Sequence, residues 1–262
     1  MPSTALTTSN TIDTHHPTTK LWLDLGNTRL KYWLTDAHGQ LLDHAAEQHL
    51  QAPAELLRGL VYRFERLAPA FIGVSSVLGQ AVNTQVSHSL TQLGVPFEFA
   101  QVNAAHPLMQ SAYDARQLGV DRWLQMLGAV DVSARQCIVG CGTALTIDLI
   151  DCGRHMGGYI FPSIHLQRSA LYSGTRQIGQ VSASFDSIAC GKNTEQAVQH
   201  GILLSVVGAI HEVQRQYTGF ALTLTGGDAP VVAAQLDPTL APTPVIAPDL
   251  LLQGLRRFFA DV

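Results

Sequence analysis

The chain has 262 residues, 46% of them hydrophobic and 14% charged, with a formal net charge of −4 and a pI of about 6.2. That length accommodates two domains of about 100 to 200 residues each, and the acidic balance excludes the basic footprint by which proteins displace counterions from nucleic acid. Cys137, Cys141, Cys152 and Cys190 form no C-x-x-C pair, no charged-then-apolar leader is recognisable, and no apolar run reaches the ~20 residues of a bilayer span, so a reducing, cytoplasmic setting without membrane insertion is expected.

Residues 1–19 are rich in Thr and Ser and poor in large apolar groups, so they read as a flexible tail, and His15 and His16 as solvated tail residues rather than a metal-binding pair. From Lys20 onward, LWLDLGNTRLKYWLTDAHGQLLDH reads as a strand, a glycine turn, a second strand, a turn over 36–39 and a third strand. Leu56, Leu57, Leu60, Val61 and Phe64 recur at helical spacing over 53–68. FIGVSSV (71–77) is apolar enough for a buried parallel strand, 82–94 reads as a helix, and 96–102 as a further strand. A helix over 118–129, carrying Trp123, Leu124 and Leu127 and followed by Val130, joins the halves.

The second half opens as the first does. QCIVGCGTALTIDLIDCGRHMGGYIF (136–161) is again strand, glycine turn, strand, turn, strand, and a shift of 116 positions lays Gly142 on Gly26 and Thr143 on Asn27. A helix near 164–172, an irregular stretch over 173–192 and a long helix over 194–217 follow, the last with Val198, Ile202, Val206, Ile210 and Val213 on one face. ALTLT (221–225) is a strand entering a Gly-Gly-Asp turn, and a helix closes the chain. The expected organisation is α/β with two duplicated domains of mixed sheets flanked by helices: a tail over 1–19, one domain over 20–118 and another over 119–262.

Two strand-glycine-strand turns facing one another supply what phosphate binding needs, namely backbone N–H groups without an obstructing Cβ and small hydroxyls. Asp24, Gly26, Asn27 and Thr28 form one; Gly142, Thr143, Ala144 and Thr146 form the other. Asp24 ends an apolar run, where an unpartnered carboxylate is costly. It is either a water-mediated Mg²⁺ ligand beside bound ATP or a cap on its own turn. Asp121 and Arg122 stand where the joining helix begins: Asp121 either complements the helix dipole or accepts a proton from a hydroxyl attacking a phosphate, with Arg122 holding an anionic group. Gly226, Gly227 and Asp228 suit close approach of adenine or ribose, or form a plain turn. Gly157 and Gly158 fit a bulged third strand, and His155 and His165 read as ordinary polar residues.

D-L-G-N-T-R-L-K (24–31), L-G-V-D-R-W (118–123), G-T-A-L-T-I-D (142–148), G-G-Y-I-F-P (157–162) and T-G-G-D-A (225–229), in this order, resemble the type III pantothenate kinases over residues 20–260. The resemblance implies the actin-like ATPase fold with two ribonuclease-H-like halves, a homodimer, and phosphorylation of pantothenate by ATP in coenzyme A biosynthesis. It further implies phosphate contacts from Asp24, Gly26, Asn27, Thr28, Lys31, Gly142, Thr143, Ala144 and Thr146, and adenosine contacts from Gly226, Gly227 and Asp228. Asp121 is implied as general base, with Gly119, Arg122, Tyr113 and Thr175 at pantothenate. Mg²⁺ is implied through Asp24, and an activating K⁺ or NH₄⁺ through an aspartate of the second phosphate motif; here that position is Gly140, which removes a charged ligand. Ser163 likewise replaces the glycine that ends the G-G-x-I-x-P-G pattern. A nucleotide-binding regulator on the same fold, or a kinase of another hydroxylated acceptor, is the competing reading.

Overall fold

The computed structural model describes residues 18–49, 52–174, 185–240 and 242–260. The first meander consists of β1 (Lys20–Leu25), β2 (Arg29–Thr35) and β3 (Leu41–Gln48), all antiparallel, and β4 (Phe71–Ser76) and β5 (Phe97–Phe99) add in parallel to give the order β3-β2-β1-β4-β5. Parallel neighbours need a crossover, supplied by α1 (Pro53–Leu67) before β4 and α2 (Gln80–Thr91) before β5. α1 forms where expected: Pro53 and Glu55 suit its first turn, Arg66 its last, and Ala68 ends it in the left-handed conformation at φ 43°. Because strand residues alternate, Leu21, Leu23, Leu25, Leu30, Tyr32 and Leu34 pack on α1 and α2, while Trp22, Trp33 and Phe71 face the other way.

β6 (Ala105–His106), β7 (Met109–Ser111) and α3 (Val120–Ala129) lead into the second sheet, built from β8 (Arg135–Cys141), β9 (Ala144–Asp151), β10 (Arg154–Pro162), β11 (Ala221–Thr225) and β12 (Val245–Ile246). Its order is β12-β11-β8-β9-β10-β7-β6, so its first five strands repeat the first sheet in order and in sense of pairing. The duplication expected from the two meanders is therefore present. It is offset by one residue after the glycine turn: Leu25 pairs with Leu30, but Cys141 pairs with Leu145, so Thr143 becomes the counterpart of Thr28. The β6–β7 hairpin had no sequence signal, since strands of two or three residues show no period, and it hydrogen-bonds to β10 although it precedes residue 119.

α4 (Ile164–Gly174), α5 (Thr194–Gln216) and α6 (Ala229–Ala233) belong to the second half, and α7 (Leu250–Phe258) returns to pack on α3. Three cores result. The outer two lie between the first sheet and α1 with α2, and between the second sheet and α5 with α6. The central one joins Trp22, Trp33 and Phe71 of one sheet to Ile138 and Ile150 of the other through α3 and α7. α3 and α7 approach at glycines: a Cβ on Gly128 would meet the Leu250 carbonyl oxygen, and one on Gly254 the Leu124 carbonyl oxygen. Arg257 Nη1 then donates to Leu127 O (2.8 Å) and Val130 O (2.9 Å), satisfying carbonyls at the end of α3.

Gly254→Ala is expected to lose about 2 kcal/mol in urea unfolding, because backbone must separate from backbone. Gly208→Ala on α5, where the added Cβ meets nothing within 4 Å, should instead gain about 0.5 kcal/mol from helix propensity.

Candidate active site

Strand alternation decides which polar groups enter the cleft between the sheets. Asp24 shares a face with Trp22, lies opposite Lys31 on β2 and beside Ser75 on β4, and accepts a hydrogen bond from Ser75 Oγ at 3.2 Å. It is 7% exposed. Burial pushes its pKa from 3.8 up to about 6, with Lys31 pulling it down, Asp121 pushing it further up and the Ser75 hydrogen bond pulling it down. Asp121, almost a hundred positions away in sequence, thus acts on Asp24 across the cleft. A buried carboxylate served by one hydroxyl and one lysine fits Mg²⁺ held through water and phosphate oxygens. No cluster of three or more His, Cys, Asp or Glu suited to a metal occurs among the described residues, so phosphate would have to complete such a site.

α3 carries the remaining charges at its N-terminal turn. Gly119 precedes it, and a Cβ there would lie 2.6 Å from Asp121 Oδ1; the glycine lets that carboxylate fold back to accept from Arg122 N at 2.8 Å. Asp121 thus complements the helix N-terminus, one of the two roles expected of it. Burial raises its pKa, while the Arg122 N–H and guanidinium hold it down.

Arg122 is 6% exposed and donates from Nε to Asp148 Oδ2 (3.0 Å) and from Nη2 to Asp148 Oδ1 (2.6 Å). The bidentate face expected for a ligand is instead engaged by Asp148. Asp148 Oδ1 is also 3.1 Å from His155 Nε2, and His155 Nδ1 is 2.8 Å from Ser111 Oγ. Tyr113 stacks on His155 with centroids 6.0 Å apart, and the Arg122 guanidinium lies 5.8 Å from the Tyr113 ring. His155, read from sequence as an ordinary polar residue, is instead an interior member of this network, and Asp148 and Ser111 had not been singled out at all. Their partners come from β7, β9, β10 and α3, which only folding assembles.

The two glycine turns meet at the mouth, with Thr28 Oγ1 and Thr143 Oγ1 3.0 Å apart. The Gly26 N–H is used within its own turn, donating to Arg29 O, as the Gly142 N–H donates to Ala144 O, both at 3.1 Å. The N–H groups left without a backbone partner among the described residues are those of Asn27, Thr28 and Thr143. His49, another residue with no sequence signal, braces the first turn: its Nε2 is 2.8 Å from Gly26 O and its N–H donates to Thr28 O at 3.3 Å. Gly226 has φ 99° and abuts the Cys141 carbonyl, which also accepts from Asp228 N at 3.3 Å, so the Gly226-Gly227-Asp228 turn adjoins the second phosphate turn. Gly157, at φ 119°, lies at the bulge expected in the third strand. Ser163 precedes α4, where its Oγ accepts from Leu166 N at 3.2 Å, and its φ is not positive. Thr175 lies outside the described residues.

Paired sheets of this topology, facing each other across a cleft with two opposed glycine turns, define the actin-like ATPase and sugar-kinase fold. Solved structures agree: a Campylobacter jejuni protein named as a candidate Baf-family transcriptional activator is 18% identical with a TM-score of 0.60, over 92% of this chain and 98% of that one. A Sinorhizobium meliloti protein named as a candidate 2-dehydro-3-deoxygalactonokinase is 11% identical with a TM-score of 0.57, over 92% and 97%. The description of the type III pantothenate kinases matches residues 20–216, and a type III pantothenate kinase of Psychrobacter cryohalolentis is 59% identical over 239 residues, 91% of this chain and 97% of that protein. The chain belongs to the type III pantothenate kinase family, whose reaction is phosphorylation of pantothenate on the route to coenzyme A.

The raised Asp24 pKa has a definite sign in stability. The folded state binds the proton more tightly than the unfolded chain, so stability falls as pH rises from 3.8 through about 6. Asp24→Asn is expected to be more stable than the parent at pH 7.5, by up to about 3 kcal/mol, with the gain vanishing near pH 4. Thermal unfolding at the two pH values measures this.

Proposed function

We propose that this chain transfers the γ-phosphoryl group of ATP to the primary hydroxyl of pantothenate with Asp121 as general base. The observation that supports this most directly is the electrostatic influence of Asp121 on Asp24, beside two glycine turns whose Thr28 and Thr143 hydroxyls lie 3.0 Å apart. Asp121 takes the hydroxyl proton as the oxygen attacks the γ-phosphorus and ADP departs; burial raises its pKa and so makes it a stronger base than an exposed aspartate. The open N–H groups of Asn27, Thr28 and Thr143, with Gly26, Gly142, Ala144, Thr146 and Lys31, line the phosphates, and Gly226, Gly227 and Asp228 the adenosine. Arg122 through Nη1, Tyr113, Gly119 and Thr175 hold pantothenate. Mg²⁺ beside Asp24 would supply charge neutralisation of the phosphates.

The chain works in the cytoplasm as a homodimer without nucleic acid or membrane contact. No described helix is long and apolar enough to cross a membrane. Met156, Tyr159 and Ile160 on β10, Leu166 on α4 and Leu204 on α5 are exposed, beside a groove of about 500 Å³ between α4 and α5, and an apolar face of this kind suits a second copy. Sedimentation should give a dimer for the parent and a monomer for Ile160→Asp.

ATP consumption with and without pantothenate, in Mg²⁺ and with phosphopantothenate identified by mass, tests the reaction. Pantothenate-dependent turnover is expected, and Asp121→Asn should lower kcat by at least about 100-fold with nucleotide affinity retained. An unchanged kcat overturns the general base. Nucleotide binding without turnover points to a regulator or to another acceptor.

A further inference from the structure

The monovalent cation implied by the family does not fit this chain. In the duplicated frame Gly140 on β8 is the counterpart of Asp24 on β1, and both face α3. Asp24 sends a carboxylate into the cleft. At Gly140 the space a Cβ would take lies 2.6 Å from Thr146 Oγ1 and 2.7 Å from Gln125 Oε1. The nearest oxygens there are neutral, and the Gln125 side chain occupies the path a carboxylate arm would follow.

Gln125 lies one helical turn beyond Asp121, on the same side of α3. Its residue is half-buried, and its carboxamide has no hydrogen-bond partner among the described residues. An uncommitted amide at a cleft wall, next to the second phosphate turn, is poised for a ligand rather than for the fold. Charge balance favours the same reading. A carboxylate with a bound monovalent cation has no net charge and turns its positive member toward phosphate; a carboxamide has no net charge and turns N–H groups toward it. With Asp24 and Asp121 already in the cleft, a third carboxylate would demand a counterion, and a neutral amide does not.

We propose that the Gln125 carboxamide replaces a carboxylate–cation pair, donating from Nε2 to a phosphate oxygen of bound nucleotide, so that nucleotide binding and turnover need neither K⁺ nor NH₄⁺. This rests on the phosphoryl-transfer reading above. It also changes what Gly140→Asp should do. The new side chain collides with Gln125 and Thr146, so the single variant loses nucleotide affinity in every salt, and cation dependence emerges only in Gly140→Asp combined with Gln125→Ala.

The experiment is calorimetric binding of a non-hydrolysable ATP analogue with Mg²⁺, at constant ionic strength in choline, Na⁺, K⁺ or NH₄⁺ chloride, with pantothenate turnover measured in parallel. Parent affinity and rate should differ by less than about twofold among the salts, while Gln125→Met, of similar length without a donor, should bind about tenfold more weakly in all of them. Gln125→Glu, which keeps the shape and restores a charge, should bind about tenfold more weakly in choline and recover in K⁺ or NH₄⁺. Parent affinity that rises tenfold or more on replacing choline with K⁺, or a Gln125→Met protein that binds like the parent, overturns the proposal. The expected binding pattern with no pantothenate turnover in any salt would overturn the acceptor and leave Gln125 in place.

Discussion

Helix α3 must satisfy two sheets at once, and the rest of the molecule is arranged around that constraint. Trp123, Leu124, Met126 and Leu127 are fully buried in the central core, against strands from both halves and against α7. A helix with so much of its circumference apolar is stable only when covered on several sides, so the sheets and α7 are held in one relation to it. The glycine contacts at Gly128 and Gly254 set the α3–α7 distance. The polar residues Asp121, Arg122 and Gln125, on the remaining face, are thereby fixed in the cleft rather than carried on a mobile loop. Rigid placement of this kind lets small displacements matter to chemistry.

Duplication supplies the frame, and departures from symmetry supply the chemistry. The two meanders repeat in strand order and pairing, and Thr28 faces its counterpart Thr143 across the mouth. Charge does not repeat. The first sheet places Asp24 with Lys31 and Ser75 in the cleft, whereas the corresponding strands of the second place Gly140, Thr146 and, further in, Asp148. One wall therefore carries a carboxylate and a lysine, and the other small neutral residues with an ion pair behind them.

The Arg122–Asp148–His155 network is costly to bury, because desolvating two charges opposes their attraction. Its geometry shows how the cost is met: both carboxylate oxygens of Asp148 are used, and Tyr113 covers His155 and the guanidinium together. Burial of this kind restricts the guanidinium to one orientation, with Nη1 directed away from Asp148.

The sequence by itself determined the elements with a strong period and the motifs with local chemistry. Both meanders, α1, α5 and the Gly-Gly-Asp turn were legible, because alternation, helical spacing and turn residues act within a few positions of one another. Asp24, Asp121 and the two glycine turns could be singled out for the same reason. What only the tertiary structure decided was which distant groups share a space. His155 joined Asp148 because β9 and β10 lie side by side, His49 met Gly26 because β3 returns past the first turn, and the β6–β7 hairpin attached to β10 although each strand is too short to show a pattern. Gln125 filled the void beside Gly140 because α3 crosses the second sheet there. The packing of a helix on a strand, and nothing local in the sequence, brought Gln125 to Gly140.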